Sequence, residues 1–184
     1  LAGLRPVFYK DGTITAANAS PLTDGASCIM LMKESKAREL GLKPIGAIRS
    51  YAAAGVDIQK EPLLIGPVYA IPKALKAAGI EWNNLDMIEI HEAFAGQVLS
   101  TFRAIESDTF AKEKLGLGSK IGTVDMAKVN PHGGSIPLGH PFGATGTRMI
   151  LQALHGLKRK QKNLALISIC AAGGLGSVLV VEAL

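Results

Sequence analysis

Two apolar runs near the carboxyl terminus constrain this chain most. Leu164 to Ile169 and Ser177 to Val181 are almost unbroken by charge, and Ala171-Ala172-Gly173-Gly174 stands between them. Runs of that length read as strands apolar on both faces, and such strands need cover on both sides. The small residues between them predict a turn, and with it a hairpin. Ile45 to Ala52 and Asp86 to Ile90 read as two further strands. Helices are predicted from Asp24 to just before Gly41, from about Pro72 to Gly79, from about Glu92 to Ile105, and from about Ala144 to Lys158. In the first, Asp24 opens the helix and Lys36 and Arg38 close it, as the helix dipole favours. Helices alternating with buried strands predict an α/β layered sandwich, a mixed sheet covered by helices.

Composition narrows the class further. Apolar residues make up 48% and charged residues 19% of the 184, which excludes a disordered chain. A chain of this length buries roughly 70% of its unfolded surface without staples. Two cysteines and no CxxC pair exclude a disulfide framework and a zinc ribbon. The apolar runs are too short to span a bilayer, and LAGLRPVFYK lacks the basic start and apolar core of a signal peptide. A reducing, soluble setting is expected. The net charge is +5, and its densest part, Lys158, Arg159, Lys160 and Lys162, reads as the solvated end of a helix. With only 5% aromatics there is little to stack on bases, so no nucleic-acid partner is expected. The mild positive balance suits a small anionic ligand carrying phosphates.

Five of the 21 glycines fall between Gly133 and Gly146, in a loop that also holds His140. His91 stands where a strand becomes a helix, and Cys170 ends a buried strand before small residues that leave room around its sulfur. Strand ends are where α/β folds build sites. Each residue alone has an ordinary structural explanation; together, at corresponding places in the fold, they form a candidate constellation. Other motifs fail on spacing. His91-Glu92 is followed by Ala95 rather than a second histidine, so it is not a zincin helix. The loop lacks Gly-Lys-Ser/Thr and GxGxxG, so no nucleotide cofactor is implied. Cys28, among Ala26, Ile29 and Met30, reads as helical core packing.

Asn18-Ala19-Ser20-Pro21-Leu22-Thr23-Asp24-Gly25-Ala26, His91-Glu92-Ala93-Phe94-Ala95, Gly133-Gly134-Ser135, Gly139-His140-Pro141-Phe142-Gly143-Ala144-Thr145-Gly146 and Cys170-Ala171-Ala172-Gly173-Gly174 together resemble the thiolase family, in that family's order. Histidine at position 91, where most thiolases have asparagine, and Leu63-Leu64-Ile65-Gly66-Pro67 resemble the thiolase subunits of fatty-acid oxidation complexes. The resemblance implies a loop-domain tail over residues 1–22 and a carboxyl-terminal thiolase domain over residues 23–184. It also implies an amino-terminal half carrying the nucleophilic cysteine. The part that carries this nucleophile is expected to be missing from these 184 residues, since neither Cys28 nor Cys170 fills its place.

The implied reaction is cleavage of a 3-ketoacyl-CoA by CoA in fatty-acid β-oxidation, with coenzyme A as substrate, no cofactor and no metal. By resemblance His140 activates the nucleophile, Cys170 shuttles the proton if its pKa is lowered towards neutrality, and His91 takes the oxyanion-hole place. Glu92 orients His91, the Ala172 N–H is a second oxyanion donor, and Ser20, Phe94 and Phe8 line the pantetheine tunnel. The chain alone is expected to be inactive. Implied partners are acyl-CoA, the missing half, a second full-length chain in a homodimer, and a hydratase/dehydrogenase α subunit. The implied compartment is the cytoplasm in a bacterium and the mitochondrion in a eukaryote. A ketoacyl synthase is the nearest rival enzyme, but it would carry a second histidine where Cys170 stands. The rival of another class is a non-catalytic acyl-CoA-binding or scaffolding chain. Finally, the helix after the loop has an apolar arc of roughly 200° (Met149, Ile150, Leu151, Ala153, Leu154, Leu157), wider than one core requires, so cover on two sides is expected.

Overall fold

The computed structural model describes residues 3–184. In chain order its helices are α1 (Glu34–Glu39), α2 (Gly66–Ala78), α3 (Ala95–Ile105), α4 (Asp108–Leu115), α5 (Ser135–Leu138) and α6 (Thr145–Lys160). Its strands are β1 (Gly46–Gly55), β2 (Met87–Ile90), β3 (Leu164–Ala171) and β4 (Leu175–Ala183).

The two carboxyl-terminal runs form the predicted hairpin, β3 against β4, with Leu164 opposite Glu182 and Ala171 opposite Leu175. Gly173 and Gly174 take the left-handed backbone of its turn (φ 85° and 77°), which spares Ala172 that conformation. β1 adds antiparallel to β4 and β2 adds parallel to β3, giving the mixed order β1-β4-β3-β2. Alternation along each strand then divides two cores. Ile88, Leu166, Val178 and Val180 face α2 and α3, meeting Ile71, Leu75 and Phe102. Met87, Ala165, Ile167 and Val181 face α6, meeting Met149, Ala153, Leu154 and Leu157. Each of the larger of these side chains, taken wholly from water, contributes about 1.5–3 kcal/mol. The expected sandwich of a mixed sheet between helices is what forms.

Three local expectations are corrected. The helix expected from Asp24 to Gly41 shrinks to α1, and residues 20–33 have no regular structure. Helices in proteins draw most of their stability from packing an apolar face. Beyond Ser27 this stretch finds little cover among the described residues, leaving Met30 at 78% and Leu31 at 71% exposure. Cys28 is accordingly exposed rather than core. α2 begins at Gly66 rather than Pro72: Pro67 occupies the first turn, where no N–H is needed, and Pro72 lies inside the helix. Burial of Ile71, Ala74 and Leu75 against the sheet outweighs the one backbone bond that Pro72 forgoes. α3 begins at Ala95, three residues later than expected.

The second cover expected for α6 is only partial among the described residues. Its sheet side is sealed, while Leu151, His155 and Arg159 line an open groove of about 440 Å³ against Gly25, Ala26 and Ser27. No helix among the described residues is long and apolar enough to cross a membrane.

Candidate active site

β2 ends at Ile90 and delivers His91 to the sheet's rim, its backbone N–H donating to the Ser168 carbonyl of β3 at 2.8 Å. β2 would otherwise present a bare edge there. Asn130 closes it: its side chain accepts from the Ile90 N–H (2.8 Å) and donates to the Ile90 carbonyl (2.9 Å), as a neighbouring strand would. The same amide donates to Glu92 (2.7 Å), whose other carboxylate oxygen accepts from the Ile136 N–H (3.0 Å) at the start of α5. Gly134 is required by that contact, since a Cβ on it would fall on the Glu92 carboxylate. The glycine-rich loop is thus tied to the β2 end by one carboxylate.

From the other side the loop is braced by the amino-terminal segment. The His140 N–H donates to the Pro21 carbonyl (3.1 Å), and the Ser27 hydroxyl donates to the Ala144 carbonyl (2.7 Å). Gly139, at φ 98°, has Thr23 where its Cβ would be. Held in this way, His140 meets His91 with ring centroids 4.0 Å apart and 36° between the planes. Phe142 lies 4.6 Å from the His140 ring on the same loop.

Hydrogen-bond accounting gives the two rings different roles. His140 Nδ1 is 2.8 Å from the Thr145 hydroxyl, and that hydroxyl donates its only proton to the Pro141 carbonyl (3.0 Å). The hydroxyl must therefore accept from Nδ1–H, which leaves the lone pair of the neutral His140 ring on Nε2. His91 Nδ1 is 2.8 Å from the Ser135 hydroxyl. Burial, with help from His140 and Arg148, pushes His91 down to about 4, so it is neutral at physiological pH. His140 is lowered in the same direction by burial and by Arg148.

Cys170, buried at the end of β3, has its own backbone N–H and that of Ala93 as donors to its sulfur. Burial nonetheless pushes the thiol up to about 11, so the condition of a lowered pKa set for a proton shuttle is not met. At neutral pH Cys170 is therefore a protonated thiol. Ala93 is clasped on its other side, its carbonyl accepting from the Ser20 N–H (3.0 Å). Phe94 pairs across a bridge with Ala19 and meets Phe8 edge-on at 6.1 Å.

The structure therefore gathers His91, His140, Glu92, Ser20, Phe94 and Phe8 around one rim, with Cys170 reaching it through Ala93. Glu92 grips Asn130 and the α5 backbone, and the His91 ring is held by Ser135 instead. Ala172 is exposed in the β3–β4 turn. Asn130 and Arg148 lie outside the motifs quoted above, and Ser135 and Thr145 lie within them with no role assigned. Thr145, five residues after His140 on the first turn of α6, carried a usable signal. The others come together only through the fold.

The end of β2, the glycine-rich loop and the end of β3 thus bring two histidines and a thiol close together on one α/β layer. The thiolase C-terminal domain matches over residues 42–183, and the thiolase N-terminal domain over residues 1–35. The chain belongs to the thiolase family. It is 53% identical to the 3-ketoacyl-CoA thiolase of Yersinia enterocolitica over 182 residues, spanning 98% of this chain and 42% of that protein. The corresponding thiolase of Vibrio cholerae is 54% identical over the same shares. Among solved structures, the Bacillus anthracis acetyl-CoA acetyltransferase superposes with a TM-score of 0.84 at 42% identity, covering 100% of this chain and 42% of that one. Human mitochondrial 3-ketoacyl-CoA thiolase in complex with CoA gives 0.81 at 35%, covering 100% and 42%. The chain spans 42% of the length of the curated relatives it matches.

Proposed function

We propose that this chain supplies the acid–base half of a 3-ketoacyl-CoA thiolase, an acetyl-CoA C-acyltransferase of fatty-acid β-oxidation. The contact between the His91 and His140 rings carries this reading. One ring has its Nε2 lone pair free, and its buried, neutral partner lies beside it. In thiolysis a thiolate attacks the 3-keto carbon, the bond to the acetyl-CoA carbon breaks, and that carbon takes a proton. A second CoA thiol then releases the shortened acyl group. His140 Nε2 takes the proton of the attacking thiol, and the His91 ring donates to the oxygen on which charge develops. Cys170, protonated at neutral pH, gives its proton to the departing enolate and recovers one from the incoming CoA. Ala172 N–H is assigned the second oxyanion donor, and Phe8, Phe94 and Ser20 the wall along which pantetheine passes.

The nucleophilic cysteine is proposed to come from an amino-terminal half like that of the longer relatives, and coenzyme A serves as substrate with no resident cofactor. A homodimer of such complete chains, with a hydratase/dehydrogenase partner in the cytoplasm or mitochondrion, completes the reading. Acetoacetyl-CoA and a longer 3-ketoacyl-CoA test it, with disappearance of the ketoacyl thioester followed by absorbance. The 184-residue chain alone is expected to give no turnover. Fused behind the amino-terminal half of the Vibrio cholerae relative, it is expected to cleave both, and H140A to lose that activity. Turnover by the chain alone, or an active H140A fusion, would defeat the proposal.

A further inference from the structure

Ser135 and Arg148 lie outside the roles assigned so far, yet both sit beneath the His91 ring. Ser135 is wholly buried. Among the described residues its hydroxyl has two neighbours, His91 Nδ1 at 2.8 Å and Arg148 Nη2 at 3.5 Å. A guanidinium has five donors and no acceptor and keeps its charge in proteins. At 3.5 Å the Arg148 contact is long, and its effect is chiefly electrostatic: it turns the hydroxyl oxygen towards the cation and the hydroxyl hydrogen away. The remaining neighbour is His91 Nδ1. Arg148 is itself held in place, since Nη1 donates to Gln152 Oε1 at 2.9 Å and the Gln152 amide donates to the Gly133 carbonyl at 2.9 Å. Every link in this chain has one direction.

The geometry points to Ser135 and Arg148 as positioning residues that fix His91 in the Nε2–H tautomer, opposite to the Nδ1–H tautomer that Thr145 imposes on His140. The two stacked rings then offer one donor and one acceptor from equivalent nitrogens. An asparagine at position 91 would carry its donor without help. An imidazole could turn a lone pair to the site instead, so its donor role depends on this support. The implication for oxyanion binding rests on the thiolase reading; the tautomer itself does not.

The test is long-range proton–nitrogen correlation on the ¹⁵N-histidine-labelled 184-residue chain near neutral pH. It separates protonated from lone-pair ring nitrogens without any turnover. The four histidines are assigned by single substitution to Gln. The expected result is His91 wholly Nε2–H and His140 wholly Nδ1–H. An unconstrained neutral ring populates both forms, so the variants decide the cause. R148M frees the Ser135 hydroxyl to accept, and a substantial Nδ1–H population should appear at His91, while R148K keeps the cation and the single form. S135A, which removes the partner altogether, should also give a mixture and serves if R148M does not fold. His91 as Nδ1–H in the unmodified chain, or a single unchanged form in R148M or S135A, overturns the inference. A fixed tautomer in a chain whose fusion shows no thiolysis would defeat the functional reading and leave this one standing.

Discussion

Glu89 offers a direct thermodynamic test of the layer beneath the site. It lies on β2 facing α6, 1% exposed, with Oε2 accepting from the Gln152 amide at 3.4 Å and Oε1 without a partner. Burial raises it from the ordinary 4.5 to about 7, against the lowering effects of Arg148 and Gln152. Because the folded value is the higher one, its contribution to stability is complete below the ordinary value and is lost as pH rises through about 7. Integrating that linkage between about pH 5 and about pH 8 gives a loss of about 2.5 kcal/mol from this group alone. E89Q keeps the shape, cannot ionise, and leaves an amide N–H₂ unpaired at a cost of about 1–3 kcal/mol that does not vary with pH. Its stability relative to the parent should therefore rise by about 2.5 kcal/mol across that interval. Urea unfolding of both proteins at matched pH values measures the difference, in which all other titrating groups cancel. A difference that stays constant from acid to alkaline pH would refute the reasoning.

Three further outcomes are expected. Ellman's reagent should count one reactive thiol in the native chain and two in denaturant, because Cys28 is exposed while Cys170 is buried and held as the thiol; two fast native thiols would contradict the burial at β3. L157A, at a side chain with no exposure between α6 and the sheet, should cost about 2–5 kcal/mol in chemical unfolding. G134A places a methyl group on the Glu92 carboxylate and should destabilise by about 1–3 kcal/mol, and an unaffected midpoint would mean that Glu92 is not held where it lies.

The sheet and its two covering layers were legible because their signals are local: unbroken apolar runs at β3 and β4, and alternation at β2. The stretch from Asp24 to Lys33 misled, since Asp24 together with Lys36 and Arg38 imitates one long helix, while Met30 and Leu31 stay exposed instead of packing. Pro72 misled for the opposite reason, tertiary packing having carried α2 straight through it. At the site, His91, His140 and Cys170 could be picked out by type and position, as reactive side chains at strand ends and in a glycine-rich loop. Their states could not. The raised thiol depends on the desolvation of Cys170, and the opposed rings depend on Thr145, close to His140 in sequence, and on Ser135 and Arg148, which no spacing rule connects to His91.

The strap from Ser20 to Ser27 has a practical corollary for anyone dissecting this protein. The two family matches end at residue 35 and begin again at residue 42, an inviting place to cut. A piece starting there would contain every reactive side chain of the site. It would also have lost Pro21, Thr23 and Ser27, which lace the loop that carries His140. The boundary drawn by ancestry and the boundary drawn by mechanics fall on opposite sides of the strap. A working carboxyl-terminal module has to keep some sequence that belongs by descent to its neighbour.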